Sequence, residues 1–219
     1  RRLTGPGRDY SQPGFTPDGR RLLAKAEQVS KQWVYNATRL VQWSWPLQGE
    51  PAEVIDGFDG SVDDYRVAAD SRSVYFLAEQ AGRRKLFVAP LEQGLAAEAG
   101  NLEAGTYAGF SLGRDAAAPA MAAGWGSAVS PTEIGRVDAA SGQWRALSGF
   151  NAARVAQIDW QPLQEFWFTS KRGRRIRSFV ALPPGFDASR KYPLFVLIHG
   201  GPHNMWKDEF IVRWNYHLL

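Results

Sequence analysis

The chain has 219 residues, 44% of them apolar, which is enough for a genuine core in one or two domains. Nine Trp, seven Tyr and twelve Phe alongside 22 Gly and 13 Pro suggest β-rich architecture with frequent turns. A net charge of +4 is small for this size, cysteine is absent and no run reaches the roughly 18 apolar residues of a membrane span. These features argue against a nucleic-acid-binding surface, a disulfide framework, a thiolate metal centre and a transmembrane helix. A cysteine-free chain suits the cytoplasm and is equally compatible with the periplasm. The opening Arg1-Arg2-Leu3-Thr4-Gly5 has no initiating Met and no signal-peptide pattern, so it reads as the interior of a longer polypeptide.

Thr16-Pro17-Asp18-Gly19 starts the first structural unit. Proline presets φ and glycine supplies a positive φ, as a tight turn requires, and an apolar strand over residues 22–26 follows. Residues 32–45, with Trp33, Tyr35, Leu40, Val41, Trp43 and Trp45, are strand material, and residues 54–57 close the unit. The same order returns over 65–77, with a turn at Asp70-Ser71, and is finished by 85–90 and 91–94. A more worn copy runs through 107–115, 116–123, 130–138 and 141–148. Turn aspartates at Asp18, Asp70 and Asp115 fall 52 and 45 residues apart. A period near 40–50 residues with about four strands per unit marks a β-propeller, although closure takes about four to eight such units.

Residues 149–164 connect these repeats to a hairpin whose strands, 164–170 and 177–182, flank the basic turn Lys171-Arg172-Gly173-Arg174-Arg175. A solvated turn explains these cations better than a nucleic-acid patch does. Residues 193–198 then form a continuous apolar run, the pattern of a strand buried on both faces. His199-Gly200-Gly201-Pro202 follows directly. Glycines leave backbone N–H groups uncovered and permit positive φ, which is what a backbone oxyanion donor needs, although a bare glycine pair also serves simply to relieve turn strain. Beyond it, Trp206, Phe210, Trp214 and Leu218 recur every four residues, the stripe of a docking helix, with Lys207, Asp208, Glu209 and Arg213 expected to face outward.

Three local motifs, Pro183-Pro184-Gly185-Phe186-Asp187, Lys191-Tyr192-Pro193 and His199-Gly200-Gly201-Pro202, together resemble the start of the catalytic domain in the prolyl oligopeptidase family of serine peptidases. The likeness is to its acylaminoacyl-peptidase and dipeptidyl-peptidase-like branch. The resemblance implies a partial β-propeller of about three blades over 1–150, and over 151–219 a linker and the first strands and helix of an α/β-hydrolase domain. It implies that the Gly201 amide holds the oxyanion, with Gly200 and His199 supporting the turn, and that the substrate is a peptide. No cofactor or metal is expected. The Ser, Asp and His of the triad follow such a turn in chain order, so they are expected beyond Leu219, in the remainder of the same polypeptide, and the 219 residues alone are expected to be inactive. A non-catalytic propeller scaffold with a degenerate hydrolase tail, and an esterase using the same turn, remain as alternatives.

Other motifs in the chain carry weaker claims to chemistry. Gly109-Phe110-Ser111-Leu112-Gly113 fits the nucleophile-elbow pattern, but it follows a poor strand, Pro119 interrupts any helix after it, and it precedes the glycine turn. His199 and His203 cannot share a helix across Gly-Gly-Pro, which removes a zinc pair, and His217 reads as structural. Asp63-Asp64 lacks the other ligands of a calcium loop, and Gly124-Trp125-Gly126-Ser127 is too little for a phosphate loop.

Overall fold

The computed structural model describes residues 4–32, 35–114, 119–201 and 204–218. Strands β1 (Arg8–Phe15), β2 (Arg21–Gln28), β3 (Arg39–Ser44) and β4 (Ala52–Glu53) form one antiparallel sheet in sequence order. The β1–β2 turn is the one the Pro-Asp-Gly signal predicts. The Asp18 carboxylate accepts the Thr16 hydroxyl (2.6 Å) and the Arg20 amide (3.0 Å), and Gly19 sits at φ +71°. After β5 (Ile55–Asp56), strands β6 (Val62–Val67), β7 (Ser73–Gln80) and β8 (Arg83–Pro90) build a second sheet. Then come β9 (Gly94–Leu95), which pairs in parallel with β5, and β10 (Ala97–Glu98), which pairs with β8. Asp70 repeats the turn logic at β6–β7, accepting the amides of Arg72 and Ser73.

The third sheet comprises β11 (Thr106–Leu112), β12 (Met121–Ser127), β13 (Ser130–Val137) and β14 (Trp144–Ala146), again antiparallel and in order. Asp115, the third of the expected turn aspartates, lies outside the described residues. The repeat read from the sequence is therefore three four-stranded sheets.

These sheets stack because strand side chains alternate between faces. On β7, Val74, Phe76 and Ala78 join Leu23, Leu40 and Tyr65 in a core between the first and second sheets. The intervening Leu77 joins Leu86, Tyr107, Phe110, Met121 and Val137 between the second and third. Phe76 stacks on Phe87 at 5.3 Å and 19°, and Phe58 meets both rings edge-on. Polar ties cross the same seams. The Arg21 guanidinium donates to the Leu91 carbonyl (2.8 Å), and the Arg84 amide donates to the Thr106 hydroxyl (2.7 Å).

A one-turn helix, α1 (Ala152–Val155), follows the third sheet, and β15 (Gln164–Thr169) and β16 (Arg175–Val180) form the expected hairpin. Its basic turn is solvated, and Arg175 and Arg177 lie over the Trp167 ring at 4.8 and 5.7 Å.

Three sequence expectations are corrected. Within 32–45 the strand is confined to β3, and Trp33 lies outside the described residues. Residues 193–198 are apolar enough for a buried strand, but among the described residues they find no ladder partner and remain exposed, Ile198 at 85%. A strand exists only through pairing, so pattern alone does not make one. Residues 206–218 form irregular chain, with turns at 213–214 and 216–217, rather than a helix. Trp214 sits at φ +60°, and the Asn215 side chain accepts the His217 amide (2.9 Å), a local turn that competes with helix hydrogen bonding. The expected stripe is broken rather than buried: Trp206 and Phe210 are half-buried, Trp214 and Leu218 are exposed, and Asp208, expected outward, is buried together with Asn215, while Arg213 does face outward.

Candidate functional site

The His199–Gly201 turn has the backbone that its glycines allow. Gly201 adopts φ +68°, and a Cβ there would lie 3.2 Å from Asn204 Nδ2. A Cβ at Gly200 would meet nothing within 4 Å, so the conformational demand falls on Gly201. Among the described residues no acceptor takes the Gly201 N–H. Two side chains brace the turn. Asn204 Nδ2 donates to the Gly200 carbonyl (3.1 Å), and the Trp206 indole donates to the Leu197 carbonyl (3.1 Å). His199 is exposed, with Nδ1 3.3 Å from the Gly200 carbonyl oxygen. His203 lies outside the described residues.

The stretch after the turn is anchored on the sheets. The Asp208 carboxylate accepts the amides of Gly105 (2.6 Å) and Ala128 (2.8 Å), and its own amide donates to the Gly82 carbonyl (3.0 Å). Beside it, Lys207 Nζ reaches Glu79 at 2.7 Å and Glu209 at 3.5 Å. Burial alone lowers the affinity of this amine for its proton, but the two carboxylates outweigh it and hold Lys207 above the usual lysine range. The hairpin meets the same β7–β8 turn. Glu165 bridges Arg83 (3.0 Å) and Arg177, and the Phe179 ring occupies the space a Cβ on Gly82 would need.

The remaining candidates are structural. Ser111 lies inside β11, opposite Ala122 in the ladder, and not at a strand-to-helix turn, so it is no nucleophile elbow. His217 Nε2 lies 2.8 Å from the Gln161 carbonyl oxygen and its ring packs edge-on against Trp160. Asp63 is paired with Arg84 at 2.8 Å, and Asp64 with Arg66 at 2.6 Å. Among the described residues no cluster of three His, Cys, Asp or Glu side chains could hold a metal ion. A cavity of about 410 Å³ opens between the second and third sheets, lined in part by Tyr75, Glu98, Asn101 and Ser141, and shares no residue with the glycine turn. Asp208 is the residue that sequence reasoning misplaced. Its amide partners lie 103 and 80 positions away, and no local pattern announces them.

With this geometry in hand, the comparisons with known proteins define a class. The chain is related to the peptidases of the prolyl oligopeptidase family, as its three motifs led us to expect. Among individual relatives, it is 29% identical over 207 residues to dipeptidyl-peptidase 5 of Porphyromonas gingivalis, covering 94% of this chain and 29% of that protein. A shorter stretch of 52 residues, 24% of this chain and 8% of the relative, is 48% identical to dipeptidyl-peptidase 5 of Schizosaccharomyces pombe. In fold the chain is similar to part of the acylaminoacyl peptidase from Pyrococcus horikoshii, with a TM-score of 0.69 at 21% identity over 89% of this chain and 28% of that one. No family model matches the chain. The chain thus spans less than a third of the length of these relatives.

Proposed function

We propose that this chain is part of a serine peptidase that hydrolyses short peptides. Residues 1–150 are the last blades of a β-propeller, and 151–219 are the linker and opening part of an α/β-hydrolase domain. The observation that carries the reading is the similarity to dipeptidyl-peptidase 5 along 94% of the chain, through the sheets as well as the region of the glycine turn. A solved acylaminoacyl peptidase in complex with Z-Gly-Gly-Phe-chloromethyl ketone also shares this fold, at 22% identity, and supports a peptide as the substrate class.

In this reading the Gly201 N–H is one oxyanion donor, and the second is the amide after the nucleophilic serine. Their hydrogen bonds strengthen as the attacked carbonyl becomes an alkoxide, so they lower the barrier more than they tighten ground-state binding. Asn204 and Trp206 brace the turn, which aims the donor before substrate arrives. The triad serine attacks, its histidine takes the proton and passes it to the leaving amine, and the aspartate orients the imidazole. All three lie in the remainder of the polypeptide. That remainder also supplies the strands that 193–198 would pair with, and the blades restrict entry to short peptides.

The test is hydrolysis by the full-length polypeptide of chromogenic amides carrying either a free-amino dipeptide or an acylated amino acid. Release of the chromophore from either amide is the expected result. Binding of peptides without cleavage supports a scaffold instead, and turnover of short-chain esters without amides supports an esterase; either outcome overturns the proposal.

A further inference from the structure

We propose that Asp208 is a positioning residue: it pins the glycine turn to the ends of the second and third sheets. The inference rests on the proposed role of Gly201 and goes beyond it. Three loops converge on this one residue. The β7–β8 turn supplies the Gly82 carbonyl, the connection before β11 supplies the Gly105 amide, and the β12–β13 turn supplies the Ala128 amide. Asp208 is 8% exposed and, among the described residues, makes no salt bridge, so its charge is met by backbone dipoles.

The receiving site is built for it. Gly105 adopts φ +76°, and a Cβ there would lie 2.4 Å from the Gly126 carbonyl oxygen and 2.5 Å from the Trp125 indole nitrogen. Only glycine turns an amide toward Asp208 from that position. Each carboxylate oxygen takes one amide, a demand that asparagine cannot meet because it offers one acceptor and one donor. From Asp208 the bracing runs back through Trp206 to Leu197 and through Asn204 to Gly200, so the turn is fixed at both flanks. Lys207, salt-bridged to Glu79, holds the same stretch against β7. The pin makes the blades part of the device that aims the Gly201 N–H, since small misplacements of a reacting group are costly.

The test uses Asp208→Asn and Trp206→Phe in the full-length polypeptide, read by amide hydrogen exchange and by steady-state kinetics. In Asp208→Asn, exchange at Gly105 and Ala128 should accelerate at least about tenfold, while the amides of Phe76 and Leu86 stay protected and report an intact fold. Its kcat should fall between tenfold and about a hundredfold with KM nearly unchanged. Trp206→Phe removes only the indole donor, so it should lower kcat without touching exchange at Gly105 or Ala128. It carries the kinetic test alone if Asp208→Asn does not fold. Unchanged exchange at the two amides overturns the pin. Faster exchange with normal kcat overturns the positioning role, as does normal kcat in Trp206→Phe. All of these leave the peptidase reading standing, because that reading fails only if the unsubstituted protein does not cleave peptides.

Discussion

At Gly201 two requirements meet: a positive φ of +68° and an N–H with no acceptor among the described residues. Under the proposed oxyanion role, Gly201→Val in the full-length polypeptide should lower kcat by about 10²–10³, with a much smaller change in KM, because a Cβ disfavours the positive φ that aims this N–H at the transition state. A normal kcat with a lowered Tm would reduce Gly201 to a turn residue. Glu133 makes a different kind of knot, accepting the Ser148 hydroxyl, the Phe150 amide (3.1 Å) and the Asn151 amide (2.7 Å), which fixes the exit from the third sheet. The Ser148 hydroxyl foremost, and then the Asn151 amide, hold its carboxyl below the usual glutamate value of 4.5. Because the folded carboxyl binds its proton less tightly than the unfolded one, these bonds stabilise the fold above that value. The contribution is lost as pH falls through the folded pKa. Glu133→Gln should therefore lower Tm at neutral pH and flatten the fall of Tm on acidification below about pH 4.5; equal acid sensitivity in both proteins would contradict the assignment. The positive φ at Gly201 was legible in the sequence because a glycine pair after an apolar run carries its own turn signal. Asp208 and Glu133 were not, because a carboxylate that accepts backbone amides looks like any surface acid until distant loops are placed beside it.

Among the elements, β7 shows what an apolar run becomes when it has partners. Val74, Phe76 and Ala78 face one core and Leu77 the other, while β6 and β8 pair along both edges. Phe76 is fully buried between Phe58 and Phe87, so Phe76→Ala should cost about 3–5 kcal/mol in urea unfolding, with an unchanged m-value. Leu147→Ala, at a side chain that is 69% exposed, should stay within about 0.5 kcal/mol. Similar losses at both positions would mean that the central sheet is not packed as described. The turn chemistry at Asp18 and Asp70 and the hairpin β15–β16 were legible because both depend on adjacent residues. The run at 193–198 carries the same apolar signal as β7 and forms no strand here, since pairing is supplied from outside the run. The aromatic spacing over 206–218 misled for a related reason: the buried positions are set by Asp208 and by the turn at Asn215, not by helical periodicity.

At the scale of the molecule, three stacked sheets end in a linker, a hairpin and a glycine turn, and the later part is tied to the β7–β8 turn through Glu79, Gly82 and Arg83. The repeat period was enough to expect stacked sheets, because each unit carries its own turns and strands. How the turn docks on them was not, because it depends on side chains about a hundred positions apart. In the proposed division of labour this chain supplies one oxyanion donor and part of the barrier around the substrate, while the nucleophile comes from the remainder of the polypeptide. Labelling with a fluorophosphonate probe, applied in parallel to the 219-residue chain and to the full-length protein, tests that claim most directly. The account predicts no labelling of the 219-residue chain and stoichiometric labelling of the full-length protein at a single serine that follows Leu219. Stoichiometric labelling of the short chain at Ser111, or an unlabelled but folded full-length protein, would contradict it.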